Sequence, residues 1–148
     1  MGMFTSFNIN ASGMTAQRYR MDIISENVAN ANTTRTADGT PYRRKVAYFE
    51  EKGGQTAFGA ALNQATGHYS GKGVKVTGVY EDYTTEMKKV YDPSHPDADE
   101  DGYVLYPNVD IVTEMTNMID ASRAYEANAT AFSASKSMAL QGLQISQQ

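Results

Sequence analysis

The sequence predicts an α+β protein, with long N- and C-terminal helices that form a coiled-coil-like core and a small central β module. Apolar residues recur at alternating spacings of three and four near both ends, and the middle of the chain consists of short β-branched and aromatic runs. The 148 residues suffice for one domain with a real core, and none is cysteine. Folding therefore does not depend on disulfides or on thiolate metal sites.

The first helix is predicted from a row of eight positions, six of them apolar, that follow the helical spacing. The row consists of Phe4, Phe7, Ala11, Met14, Arg18, Met21, Ser25 and Val28. Asparagine and threonine then replace the apolar residues, and their side chains hydrogen-bond nearby backbone and favour turns. We expect this helix to end near Asn30.

The second long helix is predicted over residues 110–144. Pro107 precedes it, Asn108 or Asp110 is available as its N-cap, and its row keeps the helical spacing for more than four heptads. At about 1.5 Å per residue the helix is about 50 Å long, more than the width of a compact chain of this size. The predicted molecule is therefore elongated. The row consists of Ile111, Met115, Met118, Ser122, Tyr125, Ala129, Phe132, Lys136, Ala139 and Leu143.

The middle of the chain predicts four or five short strands, near residues 46–49, 74–76, 79–80, 90–91 and 103–105. Residues 53–73 hold half of the glycines and are predicted to form a flexible loop. The expected organisation is an N-terminal helix of the core at 1–32, a β module at 33–106 and a C-terminal helix of the core at 107–148.

The end of the chain has the composition of a helix that packs on several sides. Lys136 is the only charged residue in 127–148, where alanine, serine, threonine and glutamine predominate, whereas a surface helix normally carries a charged face. We therefore expect contacts with other chains, although pairing of the two helices within a monomer fits the periodicity equally well. The predicted assembly residues are Phe4, Phe7, Met14, Met21, Ile24, Val28, Ile111, Met115, Met118, Tyr125, Phe132, Leu140 and Leu143. The predicted joint and turn residues are Asn27, Asn30, Asn32, Asn108 and Asp110.

Charge and hydropathy argue against two classes of partner. The formal net charge is −4, and the largest basic cluster is the triplet at 43–45, so nucleic acid is not expected. No apolar run approaches the length of about 18 residues that a membrane span needs. The first residues lack the pattern of a cleaved signal peptide, so any export is expected to use a route without such cleavage.

Two patterns in the sequence are candidates for chemical sites. Asp97, Asp99 and Asp101 reproduce the opening of a calcium-binding EF-hand loop, but Asn108 stands where the motif needs glutamate, which favours an ordinary acidic turn. The two histidines, His68 and His95, lie in a glycine-rich loop and in a turn, so no catalytic base on a rigid element is predicted. We expect no enzyme, no metal and no cofactor.

Several strings together resemble a known family. ASGMTAQ (residues 11–17) and DIISENVANANT (22–33) are similar to the N-terminal signature of bacterial flagellar axial proteins, the rod and hook families. GTPYRRK (39–45), HPDAD (95–99), GYV (102–104) and PNVD (107–110) resemble a rod protein. The resemblance implies a structural subunit of the flagellar basal-body rod, with terminal helices in an inner tubular core.

The resemblance also implies partners and a route. The implied partners are further copies of the chain, other rod proteins and the export-gate adapter at the rod base. The implied route is export through the flagellar type III apparatus to the basal body. The competing interpretation is an oligomeric β-module that binds calcium or cell-wall glycan through exposed tyrosines. Those tyrosines are Tyr69, Tyr80, Tyr83, Tyr91, Tyr103 and Tyr106.

Overall fold

The computed structural model describes residues 3–53, 65 and 71–145, and it confirms the predicted α+β class. Most of the predicted 53–73 loop, with His68 and Tyr69, lies outside the described residues. The elements in chain order are helix α1 (Met3–Ala29), strands β1 (Lys45–Glu51), β2 (Val74–Glu81), β3 (Lys88–Tyr91) and β4 (Tyr103–Tyr106), and helix α2 (Ile111–Ile145). Within the described ranges, no helix is long and apolar enough to cross a bilayer.

Helix α1 ends where the asparagine-rich segment begins, as predicted. The Asn30 backbone N–H still donates to the Glu26 carbonyl at 3.1 Å, and the Asn30 side-chain amide donates to the same carbonyl at 2.9 Å. The Thr33 N–H then donates to the Asn30 carbonyl at 3.0 Å. Asn30 thus supplies the bonds that a helix C-terminus otherwise leaves unmade.

Helix α2 begins after Asp110, which is its N-cap. The Asp110 carboxylate accepts from the Thr113 hydroxyl at 2.8 Å and from the Val112 N–H at 3.3 Å. The Thr113 hydroxyl, and less strongly the Val112 N–H, lower the pKa of Asp110. The predicted start of this helix is confirmed.

The strands form two sheets of two strands each, β1 with β2 and β3 with β4. Strands β3 and β4 are antiparallel, with Val90 opposite Val104 and Tyr91 opposite Tyr103. The two predicted runs at 74–76 and 79–80 belong to one strand, β2. The structure thus contains four strands in the described residues, the lower of the two numbers predicted.

The chain divides into two compact units. The first comprises 1–18, 49–77 and 122–148, and the second comprises 19–48 and 78–121. Among the described residues, the buried apolar side chains of the second unit are Ile24, Ala31, Tyr42, Val104, Val109 and Ala121, whereas the first unit buries only Ala16 to the same degree. The well-packed core therefore lies in the second unit. These units are defined by contacts between residues, and their boundaries fall inside helices and strands. They do not test the predicted division into residues 1–32, 33–106 and 107–148, which remains a prediction.

Candidate functional site

A buried amide, Asn27, lies at the centre of a hydrogen-bond network in the second unit. Its Oδ1 accepts from the Lys45 N–H at 2.8 Å and from the Tyr42 hydroxyl at 2.9 Å. Its Nδ2 donates to the Lys45 carbonyl at 2.8 Å and to Glu114 Oε2 at 3.0 Å. Since Asn27 is 1% exposed, all of its hydrogen bonds are made inside the protein. It holds the start of β1 against α1.

Glu114 is a buried carboxylate on α2, with 1% of its surface exposed. Its Oε1 accepts from Arg44 Nε at 2.8 Å, and its Oε2 accepts from Asn27. Arg44 also lies 3.8 Å from Asp82 Oδ2. A buried carboxylate is tolerated only when it is paired and hydrogen-bonded, and Arg44 and Asn27 meet that requirement.

A second buried amide, Asn108, holds the other side of the same strand start. Its Oδ1 accepts from the Arg44 N–H at 2.9 Å, and its Nδ2 donates to the carbonyls of Asp82 at 2.8 Å and Thr85 at 3.2 Å. The hydroxyls of Thr84 and Thr85 hold the pKa of Asp82 well below its usual value. We call this network the polar joint; its members are Asn27, Tyr42, Arg44, Lys45, Asn108 and Glu114.

Tyr42 combines burial with a nearby negative charge. Burial, and then the carboxylates of Glu26 and Glu114, raise the pKa of its phenol. Lys45 Nζ forms an ion pair with Glu26 and lies 5.5 Å from the centre of the Tyr42 ring. The phenol therefore stays protonated and donates to Asn27 at neutral pH.

The predicted joint residues have different roles in the structure. Asn27 and Asn108 belong to the polar joint, Asn30 closes α1 and Asp110 caps α2. Asn32 is exposed. Sequence reasoning missed Glu114, although the acidic residue falls seven positions before Ala121, another buried residue of α2. That heptad spacing is the signal that could have placed it inside.

Part of the predicted assembly row packs within the chain. In the first unit, the Phe7 and Phe132 rings meet edge to face, with 5.0 Å between their centres. Gly13 lies so close to Asn128 that an added Cβ would be 2.7 Å from its Oδ1. Helices α1 and α2 therefore contact each other closely here. Ile24 is buried, and the half-buried predicted residues are Phe7, Met14, Met21, Val28, Met118, Tyr125 and Phe132.

Other apolar residues remain exposed. Of the predicted residues these are Phe4, Ile111, Met115, Leu140 and Leu143. Helix α2 turns Glu114 and Ala121 inward, and it leaves Val112, Met115 and Ile119 exposed by 72%, 57% and 53%. We define the exposed apolar set as Phe4, Val112, Met115, Ile119, Met138, Leu140 and Ile145. Within each unit, the members of this set are the candidate assembly residues.

The acidic segment forms a turn. Asp97 accepts from the Thr34 hydroxyl at 2.8 Å, and Asp99 accepts from the N–H groups of Asp101 at 3.1 Å and Tyr103 at 2.7 Å. The His95 Nδ1 accepts from the Asp97 N–H at 3.1 Å. In the part of the chain that the structure describes, no three acidic or histidine side chains are placed to hold a metal ion.

Known proteins share these segments. A family model described as flagella basal body rod protein matches residues 7–35, and one described as flagellar basal body rod FlgEFG protein C-terminal matches residues 100–145. The flagellar basal-body rod protein FlgC of Borreliella burgdorferi is 45% identical over 99% of both chains. The FlgC proteins of Bacillus subtilis and Salmonella typhimurium are 44% and 42% identical, over 98% and 99% of this chain and 99% and 100% of theirs.

The chain belongs to the FlgC family of flagellar basal-body rod proteins. A FlgC-family chain is a structural protein of the flagellar basal body and not an enzyme, so the predicted class of function and its location are confirmed. The comparisons give no support to the alternative of a calcium- or glycan-binding module. The segments matched by the two family models contain Asn27, Asn108 and Glu114, three of the six members of the polar joint.

Proposed function

We propose that this FlgC-family chain polymerises through its terminal helices into the rod and that the rod serves as the torque-transmitting drive shaft of the flagellum. The observation that carries this proposal is the exposed apolar set on α1 and α2. A helix of a monomeric protein normally buries its apolar stripe and turns charged residues outward. On α1 and α2, large apolar side chains are exposed in addition to those that pack within the chain.

The electrostatics of the helix ends support burial against neighbours. Residues 3–17 carry no charged side chain, and Lys136 is the only one in 127–145. Burying neutral helix surface avoids the desolvation cost of charged groups. Small residues such as Ala131, Ser133 and Ala134 on the exposed side of α2 also allow another helix to approach closely. The same surface would be unfavourable in a chain that stayed alone in water.

The polar joint supports a role in carrying load. Its hydrogen bonds connect the end of α1, the start of β1 and the start of α2 in the second unit. Directional bonds between fully buried groups resist displacement, because any shift leaves a buried polar group without its partner. We propose that this joint fixes the direction in which the chain leaves α1, so that helices of successive subunits share the applied shear.

The proposed partners are further copies of this chain, the other rod proteins and the export-gate adapter at the rod base. The proposed route to the basal body is the flagellar type III apparatus, without signal cleavage. The FlgC-family relatives named above support rod partners, because their names place them in the basal-body rod. The adapter and the route rest on the resemblance to flagellar axial proteins.

The experiment compares strains in which the gene is deleted, restored or altered. We expect deletion to leave cells without filaments, and we expect the restored chain in purified basal bodies. Met115→Asp should prevent incorporation, because a carboxylate buried without a partner costs several kcal/mol. Thr116→Asp adds the same charge at a neighbouring exposed polar residue and is the matched control. Motile deletion cells, or basal bodies without the wild-type chain, would refute the proposed function.

A further inference from the structure

Met115 is the most exposed methionine of the second unit. It is 57% exposed, whereas the other methionines of that unit, Met21, Met87 and Met118, are half-buried. All residues of this unit lie within the described ranges. The rate at which a thioether is oxidised depends on its accessibility. Met115 is therefore the methionine of this unit that an oxidant in the surrounding water reaches first.

We infer that Met115 is an oxidation site, at which hydrogen peroxide converts the unassembled chain into a form that cannot enter the rod. The thioether sulfur gives an electron pair to one peroxide oxygen, so that an S–O bond forms while the O–O bond breaks. The other oxygen leaves as water with both peroxide hydrogens, so sulfur is oxidised to the sulfoxide and the peroxide is reduced. The inference rests on the proposed function, because it requires a neighbouring subunit to cover Met115.

The surroundings of Met115 explain why its sulfoxide would oppose assembly. Side chains three and four positions away share its face of the helix. They belong to Ile111, Val112, Met118 and Ile119, which are all apolar and offer no hydrogen-bond donor. In the free chain, water donates to the sulfoxide oxygen. Once a neighbouring subunit excludes that water, α2 cannot replace the lost hydrogen bond, and the buried polar oxygen costs free energy.

Peptide mass spectrometry of the purified chain after timed treatment with hydrogen peroxide tests the site itself. We expect sulfoxide to form several-fold faster at Met115 than at Met118, three positions further along the same helix. Met138, which is 66% exposed, is the internal reference for an accessible methionine and should react about as fast as Met115. Equal rates at Met115 and Met118 would overturn the inference.

Met115→Gln tests the effect on assembly, because it places a neutral polar carbonyl where the sulfoxide oxygen would lie. We expect purified basal bodies to contain about tenfold less of this variant than of the wild type, since a buried unpaired polar group is unfavourable. Met115→Leu is apolar, cannot be oxidised and should be incorporated normally. Normal incorporation of Met115→Gln would overturn the inference. The proposed function would still stand if Met115→Asp were excluded.

A competition experiment tests the two steps together. Cells that produce the wild-type chain and Met115→Leu in equal amounts build rods from both, and the two chains differ in mass. Growth in sublethal hydrogen peroxide should shift the composition of purified basal bodies several-fold towards Met115→Leu. Damage to other components affects both chains equally, so it does not change their ratio. A ratio that peroxide leaves unchanged would overturn the inference.

Discussion

Asn27 and Glu114 are 87 positions apart in the sequence, yet their side chains form a hydrogen bond of 3.0 Å. Each of the two residues is only 1% exposed to solvent. One N–H of the Asn27 amide donates a hydrogen bond to the Glu114 carboxylate, and the other N–H donates to the Lys45 carbonyl. This pair ties the end of α1 to the start of α2. The stability of the second unit therefore depends on an amide that no carboxylate can replace.

Asn27→Asp should strongly destabilise the second unit. The change replaces two donors by a second carboxylate beside Glu114, so like charges face each other and the Lys45 carbonyl loses its donor. We expect a loss of about 3 kcal/mol or more in the free energy of unfolding. Urea denaturation followed by circular dichroism measures it. Asn32→Asp, on an exposed residue, is the control; similar losses in both variants would contradict this role of Asn27.

Tyr42 should make stability sensitive to alkali. An unfolded tyrosine titrates near pH 10, whereas burial raises the pKa of Tyr42. Above about pH 10 the unfolded chain releases a proton that the folded chain keeps, so the free energy of unfolding falls as pH rises. Tyr42→Phe removes the hydrogen bond to Asn27, so its free energy of unfolding should be about 1 kcal/mol lower at neutral pH. That free energy should also decrease less at alkaline pH than it does in the wild type. Equal declines in both proteins would refute this assignment.

Gly73→Ala should disturb the first unit. Gly73 has a φ of +90°, and an added Cβ would lie 2.1 Å from Ser12 Oγ and 3.3 Å from the Ile9 Cα. Ser12 Oγ already accepts from the Val74 N–H at 3.1 Å, so it is not free to move away. We expect basal bodies to contain much less of this variant.

Gly39→Ala is the matched control for Gly73→Ala. Gly39 has a φ of +77°, so alanine there meets the same backbone strain of about 1 kcal/mol, but an added Cβ meets nothing within 4 Å. Incorporation of Gly39→Ala should stay close to that of the wild type. If the two variants behave alike, the contact with Ser12 does not matter for assembly.

Hydrogen exchange should separate the two units in the isolated chain. In the part that the structure describes, nearly all buried apolar side chains belong to the second unit, and the first unit buries Ala16. Regions with few buried contacts open readily. We expect slow exchange for amides near Val104 and Ala121 and fast exchange for those near Phe132, with protection appearing there after assembly. Uniformly slow exchange in the monomer would contradict this prediction.

Local chemistry made the helix ends predictable. The asparagines after Val28 close α1, and the carboxylate of Asp110 starts α2, because both act on backbone within a few residues. The row of apolar residues likewise predicted a long second helix. These signals need no knowledge of the rest of the fold.

The inward face of α2 was harder to predict, because neighbouring residues lie about 100° apart around a helix. The predicted row includes Met115, whereas the structure buries Glu114 and Ala121 and leaves Met115 outside. A lone glutamate in a sequence is normally assigned to solvent, and its burial is explained by Arg44 and Asn27, which are 70 and 87 positions away. The polar joint therefore could not be derived from residues that are close in the sequence.

The long sequence separation of Asn27 and Glu114 also has a kinetic consequence. During synthesis, Asn27, Tyr42 and Lys45 are made long before the carboxylate that completes their hydrogen bonds. Contacts between residues so far apart in the sequence form late in folding, because closing the intervening chain costs conformational entropy. The nascent polypeptide consequently cannot complete this buried network until Glu114, in the last quarter of the sequence, has been synthesised.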